Sequence, residues 1–159
     1  MHKDIKEILF NEYELGEKVK ELGQRISEEY KGKDLLIVGV LKGSVLFASD
    51  LIKSINIPCE IDFMAVSSYG DSTESSGVVR ILKDLDHSIE GKHVLLVEDI
   101  VDSGITLNYL LKYLKARKAE SIEIVSLLSK PERRKVDINV KYIGFEVPNE
   151  FIVGYGIDY

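Results

Sequence analysis

Carboxylates and hydroxyls gather in one short stretch of this sequence, EDIVDSGIT at 98–106. Glu98 and Asp99 are adjacent, and two neighbouring carboxylates can each accept hydrogen bonds from vicinal hydroxyls such as those of a ribose. Asp102 follows, and residues 103–106 combine two hydroxyl side chains with the N-terminus of a predicted helix, which is an anion site. The stretch therefore indicates a ribose 5-phosphate site. Taken alone, it is also compatible with an acidic strand end and an ordinary helix cap.

Two other phosphate-binding motifs are excluded by their spacing. GVLKGS at 39–44 does not match the GxxxxGK[ST] of a P-loop, and residues 154–156 lack the third glycine and the helix of a dinucleotide fingerprint. The three histidines are scattered and share no metal-ligand spacing with the single cysteine, which argues against a zinc site.

Buried strands precede the residues that could do chemistry. Continuous apolar runs predict strands at 35–40 and 93–97, and further strands are predicted at 59–66, 122–128 and 140–145. Apolar residues at helical spacing predict helices over 13–30, from 44 to 55, and from the 103–106 stretch to 114. Residues 67–77 are polar and rich in Ser and Gly, as in a loop. This alternation predicts one α/β domain over 1–159 with a mainly parallel sheet, whose ligands bind at the carboxyl ends of the strands.

The charge balance is acidic. The chain of 159 residues carries 21 Lys+Arg and 27 Asp+Glu, a formal net charge of -6, so a general nucleic-acid or membrane-surface binder is not expected. The basic run at 133–135 is interpreted as a solvated loop. No apolar run is long enough to cross a bilayer, the N-terminus does not resemble a signal peptide, and the single Cys59 fits a reducing compartment. We therefore expect a cytoplasmic protein.

The stretch VLLVEDIVDSGIT resembles the phosphoribosyl-diphosphate (PRPP) signature of the type I purine phosphoribosyltransferase family. Five further segments are similar, in the same order, to segments of the members that act on hypoxanthine and guanine. They are LKGS, FMAVSSYG, SSGVVRILKD, LLSKPERR and GFEVPNEFIVGYGIDY. The resemblance covers almost the whole chain. It implies a mainly parallel central sheet flanked by helices, a small hood formed from the terminal segments, and a homodimer or homotetramer. It also implies transfer of the 5-phosphoribosyl group from PRPP to N9 of hypoxanthine or guanine, giving IMP or GMP and pyrophosphate, with Mg²⁺.

The resemblance assigns roles within the EDIVDSGIT stretch. Glu98 and Asp99 hold the ribose hydroxyls, directly or through Mg²⁺, and Asp102 is the general base that takes the N7 proton as N9 attacks. The 5′-phosphate cradle is formed by Ser103, Gly104, Ile105 and Thr106. Many relatives have Lys in place of Ile105, and we expect the departure to be tolerated because the cradle works mainly through backbone N–H groups.

Base recognition is assigned to residues further along the chain. Lys130 donates to O6 of the purine, which explains selectivity because a 6-oxopurine offers an acceptor whereas the amino group of adenine presents donors. Phe151 stacks on the base, and the backbone of Ile152 meets the base edge. Asp158 binds substrate and metal.

The leaving group and the lid are assigned to two loops. Leu41, Lys42 and Gly43 receive pyrophosphate, in relatives through a non-proline cis peptide. The loop at 67–77, with Ser68 and Tyr69, closes over the reacting centre and excludes water.

Two features of the resemblance leave questions for experiment. Relatives continue past the GYGIDY segment into a stretch whose arginine contacts pyrophosphate, whereas this sequence stops at Tyr159, so we expect nucleotide binding to be retained and full activity to depend on that stretch. Pyrimidine-operon regulators share the ED…D-[ST]-G pattern, so a nucleotide-responsive RNA-binding regulator is the alternative function. The base-reading set Lys130, Phe151 and Asp158 favours purine catalysis.

Overall fold

In the computed structural model, which describes residues 3–68 and 79–157, helices alternate with strands along most of the chain. The helices are α1 (Glu12–Glu29), α2 (Val45–Ser54) and α3 (Ile105–Lys115). The strands are β1 (Leu35–Leu41), β2 (Glu60–Ser68), β3 (Val79–Lys83), β4 (His93–Val101), β5 (Ser121–Ser129) and β6 (Tyr142–Glu146). A 3₁₀ turn, Pro131–Arg133, follows β5.

The six strands form one sheet in the order β3-β2-β1-β4-β5-β6. Every pairing is parallel except that of β2 with β3, which is antiparallel and contains a register shift at Ala65/Val66. This confirms the predicted mainly parallel α/β sheet. Strand β3 was not predicted, because its five residues follow a polar stretch and alternate between buried and exposed at the sheet edge.

Strand β4 is longer than its apolar run. The sequence predicted a strand at 93–97, but pairing with β5 continues as far as Val101, opposite Ser129. The adjacent carboxylates Glu98 and Asp99 therefore lie within the strand, not after it. The boundary was wrong because backbone pairing to β5 extends the strand where the apolar pattern stops.

Helices cover both faces of the sheet. On one face, α1 and α2 pack against β1, β4 and β5. The residues that make this contact include Val19, Leu22 and Ile26 of α1 and Phe47 and Leu51 of α2. Leu107, Leu110 and Leu114 of α3 pack with Leu36, Val38 and Leu96 on the other. The alternation of side chains along β1 and β4 supplies both layers, which is why these strands read as continuous apolar runs.

The terminal segments meet beside β5. Phe10 stacks on Phe145 of β6 with ring centroids 3.9 Å apart. Residues 4–10 and 150–157 together line a cavity against Leu127 and Leu128. This arrangement agrees with the predicted hood. None of the helices within the described residues combines the length and the apolar character that a bilayer crossing requires.

Candidate active site

A cavity of about 240 Å³ opens at the carboxyl ends of β1 and β4. Its lining includes four of the residues predicted to hold the ribose and the phosphate, Glu98, Ser103, Gly104 and Thr106, together with Asp102, the predicted general base. The apolar part of the lining is Val40, Ile100, Val101 and Leu107. Asp99 and Ile105 are not among the lining residues. The topology thus places most of the predicted phosphate loop around one space.

The loop between β4 and α3 is not an ordinary capped helix start. Gly104 is the N-cap residue, in the left-handed region at φ 83°, and no side chain caps the helix. The N–H of Ile105 donates weakly to Ser103 Oγ at 3.3 Å. Asp102 instead pairs with Arg133, whose Nε lies 2.8 Å from Asp102 Oδ1. The capping explanation of the acidic stretch is therefore the weaker one.

The carboxylate pair Glu98 and Asp99 occupies consecutive, partly buried positions of β4, so the two side chains leave opposite faces of the strand. Burial, together with the charge of Asp99, raises the pKa of Glu98 well above its usual value. Burial also raises the pKa of Asp99, although the Ile100 N–H donates to Asp99 Oδ1 at 2.7 Å and acts in the opposite direction. A carboxylate pair of this kind gains most from a cation or from hydroxyl donors. The hard oxygen donors fit Mg²⁺.

The described residues do not by themselves form a complete metal cage. Within 3–68 and 79–157, no group of three His, Cys, Asp or Glu side chains could hold a metal ion. Asp158, the third predicted metal residue, lies outside the described residues, as does Tyr69 of the predicted lid. Ser68 ends β2, with its backbone opposite Val79.

The loop at 41–43 lies directly against the carboxylate pair. The peptide bond between Leu41 and Lys42 is cis, as the resemblance implies. A Cβ added at Gly43 would overlap the Asp99 carboxylate, with its Cγ only 2.9 Å away, and one added at Gly156 would lie 2.9 Å from the Gly43 carbonyl oxygen. Glycine at both positions lets β4, the 41–43 loop and the C-terminal segment approach closely.

The segment after β5 contacts the phosphate loop. The Lys130 N–H donates to the Val101 carbonyl at 2.9 Å, and the Lys130 side chain is only 8% exposed although it forms no ion pair with any described residue. Lys130 therefore lies next to the end of β4, as a base-reading lysine requires.

Two residues in this segment were missed from the sequence. Arg133 pairs with Asp102, and the half-buried Arg134 donates to the carbonyls of Val101 and Asp102 and to Ser129 Oγ. The interpretation of 133–135 as a solvated loop fits the exposed Lys135 but is wrong for Arg134. No local signal links these arginines to residues some 30 positions earlier.

The structure separates two other predicted residues from the phosphate loop. Phe151 and Ile152 line the second, larger cavity, of about 540 Å³, between the terminal segments. None of residues 98–106 lines that space. Phe151 is 77% exposed. The larger cavity is mostly apolar, and we place the chemistry at the smaller one because it contains the convergent polar groups.

Comparison with known proteins identifies the family. The model of the phosphoribosyl transferase domain matches residues 7–159, so the chain belongs to the phosphoribosyltransferase family. Within that family it falls with the hypoxanthine-guanine phosphoribosyltransferases. It is 55% identical to that enzyme of Bacillus subtilis (strain 168) over 159 residues, which are 100% of this chain and 88% of the relative. It is also 55% identical to the bifunctional protein TilS/HprT of Listeria monocytogenes, but spans only 24% of that longer relative.

Solved structures agree with this family. A hypoxanthine phosphoribosyltransferase from Staphylococcus aureus is 53% identical and superposes with a TM-score of 0.97, over 100% of this chain and 86% of that one. The hypoxanthine phosphoribosyl transferase of Trypanosoma cruzi is 43% identical, with a TM-score of 0.94, over 100% of this chain and 87% of that one. The resemblance noted in the sequence and the type I fold are both confirmed.

Proposed function

We propose that the protein is a purine salvage enzyme that transfers the 5-phosphoribosyl group from PRPP to N9 of hypoxanthine or guanine, giving IMP or GMP and pyrophosphate. The observation that carries the proposal is the cavity at the end of β4, which joins a carboxylate to the N–H-rich start of α3. The high identity of the chain to relatives named hypoxanthine-guanine phosphoribosyltransferases supports the same reaction. No comparison favours an RNA-binding regulator.

PRPP is held from both ends of the ribose in this proposal. Glu98 and Asp99 take the ribose hydroxyls, and Ser103, Gly104, Ile105 and Thr106 surround the 5′-phosphate. Glu98, Asp99 and Asp158 would hold Mg²⁺, which would neutralise charge on the pyrophosphate leaving group. The loop of Leu41, Lys42 and Gly43 receives the pyrophosphate, and the contact of Gly43 with the Asp99 carboxylate supports this role.

Asp102 acts as the general base at N7 of the purine. Arg133 Nε donates to Asp102 Oδ1, which leaves the second carboxylate oxygen to accept the N7 proton. The side chain is 43% exposed, so an incoming base can reach it. A positioned base of this kind contributes about 10²–10⁴-fold to the rate.

Lys130 and Phe151 recognise the base in this proposal. The Lys130 ammonium has only donors, and it therefore selects a 6-oxopurine over adenine. Phe151 stacks on the ring, while the backbone of Ile152 meets the base edge. Phe151 and Ile152 line the larger cavity, between the terminal segments. Ser68 and Tyr69 belong to the lid that excludes water.

The proposal extends to assembly and location. We propose a single domain over 1–159 that works in the cytoplasm, where the free Cys59 would stay reduced. A homodimer or homotetramer is supported by exposed apolar side chains at the start of α2, Val45 and Leu46, which light scattering would test through the molar mass.

The test is nucleotide formation by the purified chain with PRPP, Mg²⁺ and each purine in turn. Hypoxanthine or guanine should be converted and adenine should not. Absence of any nucleotide product, together with a salt-dependent gel shift of an RNA, would favour the regulator instead.

Two variants test the assigned roles. Asp102→Ala should lose about 10²-fold or more in kcat while still binding IMP, since only the proton acceptor is removed. Lys130→Ala should lower the kcat/KM ratio of hypoxanthine to adenine. Undiminished turnover by Asp102→Ala would contradict its role as the base.

A further inference from the structure

Three consecutive carbonyl groups of the phosphate loop are bound by one segment, residues 130–135. The Val101 carbonyl accepts from the Lys130 N–H at 2.9 Å and from Arg134 Nη1 at 3.0 Å. The Asp102 carbonyl accepts from Arg134 Nη1 at 2.8 Å, and the Ser103 carbonyl accepts from the Lys135 N–H at 2.9 Å. No other described loop has its carbonyls bound in this consecutive way by one segment.

Binding the carbonyls also fixes the N–H groups. In a trans peptide the N–H points away from the C=O of the same unit. The three bound carbonyls belong to the peptide units that end in the N–H groups of Asp102, Ser103 and Gly104. Those N–H groups are therefore directed away from the 130–135 segment, and successive N–H groups directed to one side form an anion-binding concavity.

Arg134 is the one side chain in this set of contacts, and it is itself fixed. Its Nη2 donates to Ser129 Oγ at 2.8 Å, and Ser129 is 1% exposed at the end of β5. The guanidinium thus joins β5 to two carbonyls at the end of β4. A planar fork with several donors can do this, whereas the point charge of lysine cannot hold all three acceptors in the same geometry.

Side chains of the segment that follows Arg134 also pack against Gly104 of the loop. A Cβ at Gly104 would lie 2.8 Å from Ile138 Cδ1 and 3.3 Å from Val136 Cγ2. The segment that follows Arg134 therefore packs against the same loop. The loop is held between this segment and the cavity.

We propose that Arg134 is a positioning residue that preorganises the 5′-phosphate cradle by holding the Val101 and Asp102 carbonyls, without touching the ligand. The proposal rests on the proposed function, because it requires that this loop binds the phosphate of PRPP and IMP. It assigns the arginine a role in phosphate affinity and none in base selection.

The test compares IMP with inosine, which lacks the phosphate, by isothermal titration calorimetry. Arg134→Met should weaken IMP binding about tenfold, because the N–H groups are no longer preorganised for a charged acceptor. Inosine binding should be unchanged. Arg117→Met is the matched control, since Arg117 is also half-buried and pairs with Asp84 at 2.8 Å, away from the loop, and it should leave both affinities unaltered.

A second variant covers the case in which Arg134→Met does not fold. Ser129→Ala removes one anchor of the guanidinium and should weaken IMP binding about threefold, again without affecting inosine. In the Arg134→Met background the same change should have no further effect on IMP affinity.

The two proposals fail in different ways. If wild type binds IMP no better than inosine, the loop does not bind the phosphate and the proposed function is wrong. If wild type prefers IMP and Arg134→Met or Ser129→Ala keeps the full preference, Arg134 does not position the cradle. Equal weakening of IMP and inosine would likewise overturn the proposal, because it indicates a general structural role.

Discussion

Replacing Gly43 by alanine should disturb the carboxylate pair through a single methyl group. Gly43 does not occupy the left-handed region, so alanine can adopt its backbone conformation. The added Cβ would, however, overlap the Asp99 carboxylate, with its Cγ at 2.9 Å. Rotating the Asp99 carboxylate away would break the hydrogen bond that its Oδ1 accepts from the Ile100 N–H at 2.7 Å.

The expected cost follows from these two contacts. Overpacking by one methyl costs about 1–3 kcal/mol, and loss of the Ile100 hydrogen bond costs about 1 kcal/mol. A rotation of the Asp99 carboxylate that relieves the overlap also breaks this hydrogen bond, so the two costs do not add in full. We therefore expect Gly43→Ala to lower the free energy of unfolding by about 2 kcal/mol in total. The activity should fall chiefly through a higher KM for PRPP, since Asp99 is a proposed ribose and metal ligand.

Urea unfolding of a double-mutant cycle tests this reasoning. In an Asp99→Ala background the obstruction is gone, so Gly43→Ala should be nearly neutral and the coupling energy should approach about 2 kcal/mol. Gly16→Ala is the control, because nothing lies within 4 Å of its added Cβ. A similar loss for Gly43→Ala in both backgrounds would show that the Asp99 contact is not the cause.

Two further predictions concern stability. Gly23→Ala should destabilise the fold by about 2 kcal/mol, because the added Cβ would lie 2.7 Å from the Ser54 carbonyl oxygen of α2. Gly16→Ala in the same helix should instead stabilise the fold by up to about 1 kcal/mol. Equal effects of the two substitutions in thermal or urea unfolding would contradict this prediction. Burial acts to raise the pKa of Asp84, but hydrogen bonds from Tyr113 and the Leu85 N–H and the charge of Arg117 lower it overall. Asp84 therefore stabilises the fold above its unfolded-state pKa of about 3.9, and this stabilisation is lost as pH falls through the lower folded value. The difference in unfolding free energy between wild type and Asp84→Asn should accordingly shrink in acid, and a difference independent of pH would refute the assignment.

Much of the fold follows from local patterns in the sequence. The runs at 35–40 and 94–97 are apolar because helices cover both faces of β1 and β4, so both strands were predicted, and the bounds of β1 were predicted closely. Helix α1 was predicted as 13–30 and lies at Glu12–Glu29, because one apolar stripe faces the sheet. In these elements the local pattern of apolar residues follows directly from which faces are buried.

The structure corrected the sequence where pairing outweighs pattern. Strand β4 extends through Glu98 and Asp99 because β5 continues beside it, and β3 forms because it pairs with β2. Backbone hydrogen bonds between strands do not depend on side-chain polarity. A polar or short stretch can therefore join a sheet without an apolar signal.

The features of the candidate site also fall into those predicted from the sequence and those found only in the structure. The sequence by itself determined the α/β class and predicted a ribose-phosphate site at 98–106, since those residues are neighbours along the chain and their types and spacing indicate that chemistry. Only the tertiary structure decided that Arg133 pairs with Asp102, that Arg134 holds the loop carbonyls, that Gly43 admits the Asp99 carboxylate, and that Phe151 lines a separate cavity. The physical reason is distance along the chain, because contacts between residues tens of positions apart exist only after the strands pair and bring their carboxyl ends to one edge.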